Sequence, residues 1–202
     1  MALKDSFDTE RTSNCIMTVF LASQDRQLVP MLPDGNCMFR SVAHQLIGDA
    51  EQHDQLRYAT VSFATQNEEV LNGYLPQGGE NASLLHHLQE MRNLGRWGTH
   101  LELKAMALML HLPIYVLTDS LVPGECRWTR FSPQLSPGNN TSSFASNTES
   151  WITAALQSNG TRWVEICHSN GSHYDSIKFK GSGPHSPPGL SESPDSVAIV
   201  LE

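Results

Sequence analysis

The stretch at residues 33–41, PDGNCMFRS, places a cysteine between a tight turn and the start of a helix. The turn is predicted by Asp-Gly-Asn, because glycine tolerates positive φ and the side chains of Asp and Asn bond to nearby backbone. The apolar residues that follow have helical spacing; they are Phe39, Val42, Ala43, Leu46 and Ile47, and Gly48 is expected to end the helix. Cys37 is therefore expected at a helix N-terminus, where amide groups and the helix dipole favour a thiolate and can stabilise an oxyanion.

A cysteine at such a position has two interpretations. A lone cysteine near a helix start is more often a small buried hydrophobic residue than a reactive group. A nucleophilic cysteine needs a base, which another part of the chain must supply. The second interpretation therefore depends on finding a suitably placed histidine.

Such a histidine lies near the other end of the chain. Residues 162–168, RWVEICH, and 173–179, HYDSIKF, are rich in β-branched and aromatic residues, which predicts two strands joined by an Asn-Gly turn. His173 and Asp175 are two positions apart in the second strand, so their side chains share one face. A carboxylate beside an imidazole fixes its tautomer and stabilises its cation. Cys37 with this pair predicts a thiol-protease triad, and His168 on the preceding strand is the alternative base.

Three segments of the chain resemble the signature blocks of the ovarian tumour (OTU) family of cysteine proteases: residues 34–41, 97–103 and 173–175. Their order and spacing match the family over most of the chain. The resemblance implies an α+β, papain-like OTU fold with a small central mixed β-sheet flanked by helices. It also implies that Cys37 is the nucleophile, His173 the base and Asp175 the residue that orients the base. Asp34 would lie in the turn that shapes the oxyanion hole.

The resemblance implies a cysteine-dependent deubiquitinase, which hydrolyses isopeptide bonds at the C-terminus of ubiquitin. The expected partner is ubiquitin or polyubiquitin, or a ubiquitin-like modifier, and the reaction requires no cofactor and no metal. Two other functions stay open. One is a catalytically silent ubiquitin-binding module on the same fold, and the other is a polyprotein-processing protease of a virus or mobile element.

Composition narrows the classes of partner and compartment. The formal net charge of -8 argues against nucleic acid and anionic membranes as main partners. The four cysteines form no CxxC pair and have no metal-ligand spacing, so we expect no zinc site and a reducing compartment, the cytoplasm or the nucleus. Residues 1–30 do not resemble a signal peptide, and no apolar run is long enough to span a bilayer. We expect a monomer without membrane contact.

The predicted domain organisation has one catalytic domain with peripheral additions: an N-terminal extension (1–27), the OTU catalytic domain (28–180), a long polar insertion within it (132–159) and a flexible C-terminal tail (181–202). Helices are predicted at 54–75, at 80–93 and after a capping box formed by Thr99 and Glu102. Within the second of these helices, His87 is expected to be an exposed polar residue. Trp97 is expected either to anchor the core or to form a wall of a groove that takes an extended peptide.

Overall fold

The centre of the fold is a five-stranded mixed β-sheet. The computed structural model describes residues 16–75, 83–119, 126–135, 150–182 and 185–189. The strands are β1 (Arg26–Val29), β2 (Ile114–Asp119), β3 (Cys126–Phe131), β4 (Val164–Ser169) and β5 (His173–Phe179), in the spatial order β1-β5-β4-β2-β3. The pairing of β2 with β4 is parallel, and the other three pairings are antiparallel. The predicted α+β fold with a small mixed sheet flanked by helices is confirmed.

Helices cover both faces of the sheet. They are α1 (16–22), α2 (Cys37–Ile47), α3 (His53–Gln66), α4 (Glu68–Leu71), α5 (Leu84–Met91), α6 (His100–Leu110) and α7 (Ser150–Asn159). The strand alternation of β2 divides its side chains between two cores. Ile114 and Val116 face the larger core, which α2, α3, α5 and α6 fill, whereas Tyr115 and Leu117 face a smaller core closed by α1.

The predicted N-terminal extension contributes to the domain within the described residues. Met17 and Leu21 of α1 are fully buried in the smaller core, against residues of β2 and β4. β1 begins at Arg26 and pairs with β5, so residues upstream of position 28 already belong to the sheet. The apolar character of residues 16–21 therefore reflects packing against the second face of the sheet.

The long helix predicted at 54–75 is interrupted. α3 ends at Gln66, α4 follows, and residues Asn72–Tyr74 form a 3-10 turn. The break lies at Asn67, whose backbone leaves the helical region and whose side-chain amide donates a hydrogen bond to the carbonyl of Phe63 at 2.8 Å. Asparagine side chains compete in this way with helical backbone hydrogen bonds, which explains why apolar periodicity alone overestimated the helix.

The start of α6 confirms the predicted capping box. The amide of Thr99 donates to the carboxylate of Glu102 at 2.7 Å, and the Thr99 hydroxyl accepts from the first turn. The prediction for His87 was wrong, because its ring reaches the same carboxylate: Nε2 lies 2.8 Å from Oε1 of Glu102. This contact ties α5 to α6 and fixes the loop between them.

The peripheral segments are described in part. Of the polar insertion, residues 132–135 and the helix α7 lie within the described ranges, and residues 136–149 lie outside them. In the tail, residues 185–189 contact the sheet: the carbonyl of Ser186 accepts a hydrogen bond from Arg26 at 2.8 Å. The flexibility expected for residues 190–202 concerns positions outside the described residues. Among the helices described here, none is both long and apolar enough to cross a membrane.

Candidate active site

The cysteine predicted at a helix start is the first residue of α2. The helix runs from Cys37 to Ile47 and ends at Gly48, whose φ of 79° is the left-handed conformation that glycine favours. The N-cap Asn36 makes no side-chain hydrogen bond to the first turn, and that turn holds no acidic residue. The amides at the start of α2 are therefore not occupied by a capping side chain, which suits stabilisation of an anion there.

The thiol of Cys37 is nearly enclosed. Only 4% of the residue is exposed, and burial raises the pKa of the thiol. Three backbone amides act against this shift: those of Tyr174, Met38 and Cys37 itself, the first of which donates to Sγ at 3.4 Å. Burial outweighs the amides, so the thiol is neutral at rest and needs a base to become a nucleophile.

The histidine and aspartate predicted to pair do so on β5. Nε2 of His173 lies 2.9 Å from Oδ1 of Asp175, and the same oxygen accepts a hydrogen bond from the amide of Met31 at 2.8 Å. The Met31 amide fixes the carboxylate, and the carboxylate fixes the imidazole. When Nε2 is protonated and donates its hydrogen bond to Asp175, Nδ1 is unprotonated and is the nitrogen that can accept a proton.

The structure brings Cys37 and strand β5 together through the backbone. The described hydrogen bond of the Cys37 thiol is to the amide of Tyr174, the residue between His173 and Asp175, and not to the imidazole. Catalytic hydrogen bonds are often long or incomplete before substrate binds. The thiol of Cys37 therefore lies against the backbone of the strand that carries the hydrogen-bonded pair of His173 and Asp175.

The alternative base, His168, occupies a different environment. It lies opposite Tyr174 in the β4–β5 pairing, and the two rings stack with centroids 4.4 Å apart. Directly opposite residues share a face of the sheet, whereas the flanking His173 and Asp175 alternate away from that face. Burial is the main factor that lowers the pKa of His168, so its ring is neutral and packed.

Asp34 organises the turn before Cys37. Its Oδ1 accepts from the amide of Asn36 at 2.9 Å, and its Oδ2 accepts from Nε and Nη2 of Arg40 at 3.1 and 2.8 Å. Burial acts to raise the pKa of Asp34, but the hydrogen bonds from Arg40 and Asn36 outweigh it and hold the pKa well below its usual range. The ionised carboxylate thus ties the turn to the first turns of α2.

A second loop supports that turn. The backbone of Gly35, with φ of 76°, lies so close to Gly95 that a Cβ at position 35 would stand 2.0 Å from the Gly95 carbonyl oxygen. The amide of Gly95 in turn donates to Oδ1 of Asn36 at 2.8 Å. Leu94 and Trp97 on this loop and Leu32 on the other are exposed, so the interpretation of Trp97 as a core anchor was wrong.

Gln45 joins α2, which begins at Cys37, to β5, which begins at His173, and the sequence analysis did not identify it. Its Oε1 accepts from the amide of Glu165 at 2.9 Å, and its Nε2 donates to the carbonyl of Ile177 at 2.7 Å and to the carbonyl of Glu165. The paired register of β4 and β5 ends at Ile166 and Ser176, so the Gln45 amide lies where the two backbones separate. The signal in the sequence that could have identified Gln45 is the presence of a glutamine on the buried side of an amphipathic helix.

The described residues contain no group of three or more His, Cys, Asp or Glu side chains placed to hold a metal ion. The chemistry available at this site is that of a thiol, an imidazole, a carboxylate and backbone amides. These groups suffice for nucleophilic attack on a carbonyl and for stabilisation of the resulting oxyanion.

Comparisons with known proteins concern the family and the fold of the chain. A family model described as OTU-like cysteine protease matches residues 32–147, more than half of the chain. The OVARIAN TUMOR DOMAIN-containing deubiquitinating enzyme 9 of Arabidopsis thaliana is 34% identical over 86 residues, which cover 43% of this chain and 24% of that protein. Enzyme 7 of the same series and organism is 23% identical over 170 residues, covering 83% of this chain and 37% of that protein. The chain thus spans less than two-fifths of the length of these relatives.

Solved structures share the fold at low sequence identity. The OTU domain of OTUD1 superimposes with a TM-score of 0.65 at 18% identity, over 86% of this chain and 99% of that one. The Hazara virus OTU bound to ubiquitin gives a TM-score of 0.52 at 17% identity, over 79% and 85% of the two chains. With the family model matching more than half of its residues, the chain belongs to the OTU-like cysteine protease family.

Proposed function

We propose that this chain is a cysteine-dependent deubiquitinase that hydrolyses isopeptide bonds at the C-terminus of ubiquitin. The observation that carries the proposal is the meeting of two elements. Cys37 starts α2 and contacts the backbone of β5, and on that strand His173 and Asp175 form a hydrogen-bonded pair at 2.9 Å. The family membership and the names of the relatives, which describe deubiquitinating enzymes, support the same activity.

In the proposed mechanism, His173 is the base. Asp175 accepts a hydrogen bond from the protonated Nε2, and Nδ1 removes the proton from the Cys37 thiol. Because burial raises the pKa of that thiol, the resting group is protonated, and His173 must remove its proton for the sulfur to attack the substrate carbonyl. The resulting imidazolium is stabilised by the carboxylate and then protonates the leaving lysine amine.

The amides at the start of α2 stabilise the oxyanion of the tetrahedral intermediate. They include the amide of Cys37, and Asp34 holds the preceding turn in shape. Collapse of the intermediate breaks the bond to the lysine nitrogen and leaves a thioester between Cys37 and the C-terminal glycine of ubiquitin. Water, deprotonated by neutral His173, then releases ubiquitin and restores the thiol.

Ubiquitin or a polyubiquitin chain is the proposed substrate, and the enzyme is proposed to act as a monomer. A solved relative in fold is bound to ubiquitin. The nearly enclosed Cys37 leaves a narrow approach, which favours glycine at the scissile bond because a side chain there would require more space. Leu32, Leu94 and Trp97 are exposed on the two loops beside it and offer apolar contacts to an extended peptide.

The deciding experiment is reaction with ubiquitin that carries an electrophile at its C-terminus. We expect a covalent adduct with the wild-type chain, no adduct with Cys37→Ala, and loss of turnover of ubiquitin dimers in His173→Ala. Cys126→Ala is the matched control, because Cys126 is a partly exposed cysteine on β3, outside the site. An adduct that persists in Cys37→Ala, or full turnover in His173→Ala, would contradict the proposal.

A catalytically silent ubiquitin-binding module is the second candidate. The observation that favours it is the resting thiol, which contacts the Tyr174 amide in place of the imidazole and whose pKa is raised by burial. Saturable binding of ubiquitin by a folded chain that forms no adduct would establish this function. Cleavage of a polypeptide junction without reaction with ubiquitin would instead indicate a polyprotein-processing protease.

A further inference from the structure

Arg57 of α3 is a buried cation beside the loop of the nucleophile. Only 1% of the residue is exposed, and it is among the largest fully buried side chains of the domain. Arginine is rarely buried so completely without an anionic partner. In the described part of the chain, however, no carboxylate forms an ion pair with Arg57, and its Nε has no hydrogen-bond partner.

Its guanidinium contacts two loops and the first turn of α2. Nη2 donates to the carbonyl of Gly35 at 3.1 Å, to Oδ1 of Asn36 at 2.9 Å and to the carbonyl of Arg96 at 2.7 Å. Nη1 donates to the carbonyl and the sulfur of Met91 at 3.2 and 3.1 Å, and the guanidinium carbon lies 4.2 Å from the centroid of the Phe39 ring. One side chain thus joins the residues on either side of Cys37 to the loop after α5.

These contacts determine the backbone just before the nucleophile. Gly35 and Asn36 directly precede Cys37. The side-chain oxygen of Asn36 accepts a hydrogen bond from Arg57 and a second one from the amide of Gly95. Fixing the carbonyl of Gly35 and the side chain of Asn36 fixes the peptide planes that lead into α2. The amide of Cys37 belongs to the last of those planes, so its direction depends on Arg57.

The charge of Arg57 acts on the same place. Burial lowers the pKa of Arg57 to about 10, so the guanidinium stays protonated at neutral pH. The ionisable groups that interact with it are Glu102 on α6, Asp34 in the turn and Cys37 itself. Of these groups, Cys37 is the one that becomes an anion in the proposed reaction, and the charge of Asp34 opposes that change. A buried cation without a paired carboxylate favours that change.

We propose that Arg57 is the positioning residue of the Cys37 loop: its planar guanidinium holds the oxyanion-binding backbone in place, and its charge favours the anion that forms at Cys37. The inference rests on the proposed function, because it takes Cys37 to be the nucleophile. It assigns two separable effects to one side chain. The shape of the guanidinium determines the loop, and its charge determines how readily the thiol ionises.

The experiment compares Arg57→Lys, Arg57→Gln and wild type in the full chain. The rate of alkylation of Cys37 by iodoacetamide is measured against pH without ubiquitin, and the modified peptide is identified by mass spectrometry; kcat and KM are measured on ubiquitin dimers. Arg26→Gln is the matched control. It also removes a buried arginine, one paired with Glu165 and lying where β1 meets the far end of β5 from His173.

In Arg57→Gln we expect the pH midpoint of alkylation to rise by about 0.5–1 pH unit, which slows alkylation at pH 7 by about 3–10-fold. We also expect kcat on ubiquitin dimers to fall by more than about 10-fold while KM changes little. In Arg57→Lys we expect a midpoint near that of wild type but a kcat about 10-fold lower, because an ammonium cannot bridge the same carbonyls. Arg26→Gln should lower the unfolding temperature and leave the midpoint unchanged.

An unchanged midpoint and kcat in folded Arg57→Gln would overturn the inference. If that variant does not fold, Arg57→Lys decides, and wild-type kcat in it would overturn the inference as well. Failure of the proposed function gives a different result. In that case the wild-type chain itself would form no ubiquitin adduct, whatever the alkylation profiles of the Arg57 variants. A midpoint shift of equal size in Arg26→Gln would also refute a specific role for Arg57.

Discussion

Gly35→Ala tests how closely the turn before Cys37 packs against the loop at Gly95, and Gly48→Ala provides its matched control. Both glycines have nearly the same left-handed φ, 76° and 79°. A Cβ at position 48 would meet nothing within 4 Å, whereas a Cβ at position 35 would lie 2.0 Å from the carbonyl oxygen of Gly95. The two substitutions therefore share the conformational cost and differ in the clash.

The magnitudes follow from that difference. Alanine in the left-handed region costs about 1–2 kcal/mol at either site. In Gly35→Ala the Gly95 loop must also move by about 1 Å or more, because Cβ atoms hardly ever lie within 3.0 Å of another heavy atom. That movement breaks the hydrogen bond between Gly95 and Asn36 and strains those of Arg57, each worth about 1 kcal/mol. We expect a total loss of about 3–5 kcal/mol for Gly35→Ala.

Thermal unfolding with a concurrent activity measurement tests this expectation. For a chain of this length, each kcal/mol shifts the unfolding temperature by about 2–4 °C, so Gly35→Ala should unfold roughly 10 °C below wild type and Gly48→Ala only a few degrees below. At a temperature where both variants are folded, turnover of ubiquitin dimers should fall only in Gly35→Ala. Equal unfolding temperatures, or equal turnover, would refute the tight contact between the two loops.

Three further predictions concern the groups around the site. Gln45→Met removes the hydrogen bonds to β4 and β5 and should cost about 3 kcal/mol in chemical unfolding, whereas the exposed Gln55→Met should change stability by less than about 0.5 kcal/mol; similar losses would contradict the role of Gln45. Asp175→Asn should lower kcat roughly 10-fold and Asp175→Ala roughly 100-fold or more, because only the amide retains an oxygen for the imidazole; a larger loss with asparagine would argue against an orienting role. The hydrogen bond to Glu102 raises the pKa of His87, so this pair stabilises the fold most below the unfolded-state pKa of about 6.5 and loses that contribution as pH rises through the folded-state pKa. In thermal unfolding, the stability difference between wild type and His87→Gln should therefore shrink from pH 6 to pH 9.

The features that sequence alone predicted depend on residues close together in the chain. The turn before Cys37, the helix that follows and its end at Gly48 are all encoded within 33–48, and the structure contains each of them. The hairpin that carries His173 is similar, since Asn170 and Gly171 adopt positive φ of 53° and 65° as an Asn-Gly turn should. Local propensity and spacing are sufficient for such elements because their hydrogen bonds close within a few residues.

Two features that the sequence analysis missed have different physical causes. The break at Asn67 is local, because its side chain bonds back to the carbonyl of Phe63 four residues earlier, but apolar periodicity does not register a hydrogen bond of this kind. His87 resembles its neighbour His86 in sequence, yet only His87 reaches Glu102 on the next helix. Long-range pairing of this kind requires the tertiary arrangement, which a pattern within one window does not contain.

The same distinction explains how the candidate site is built. The residues that we propose to react are local signals: a cysteine after a turn, and a histidine two residues before an aspartate. Their relative position is not local, since Cys37 and His173 are 136 positions apart in the chain. It is determined by Gln45, which binds the backbone of both β4 and β5, and by the Tyr174 amide that contacts the thiol. Substitutions at the end of α2 far from the nucleophile should therefore change the chemistry as well as the stability, although they touch no reacting atom.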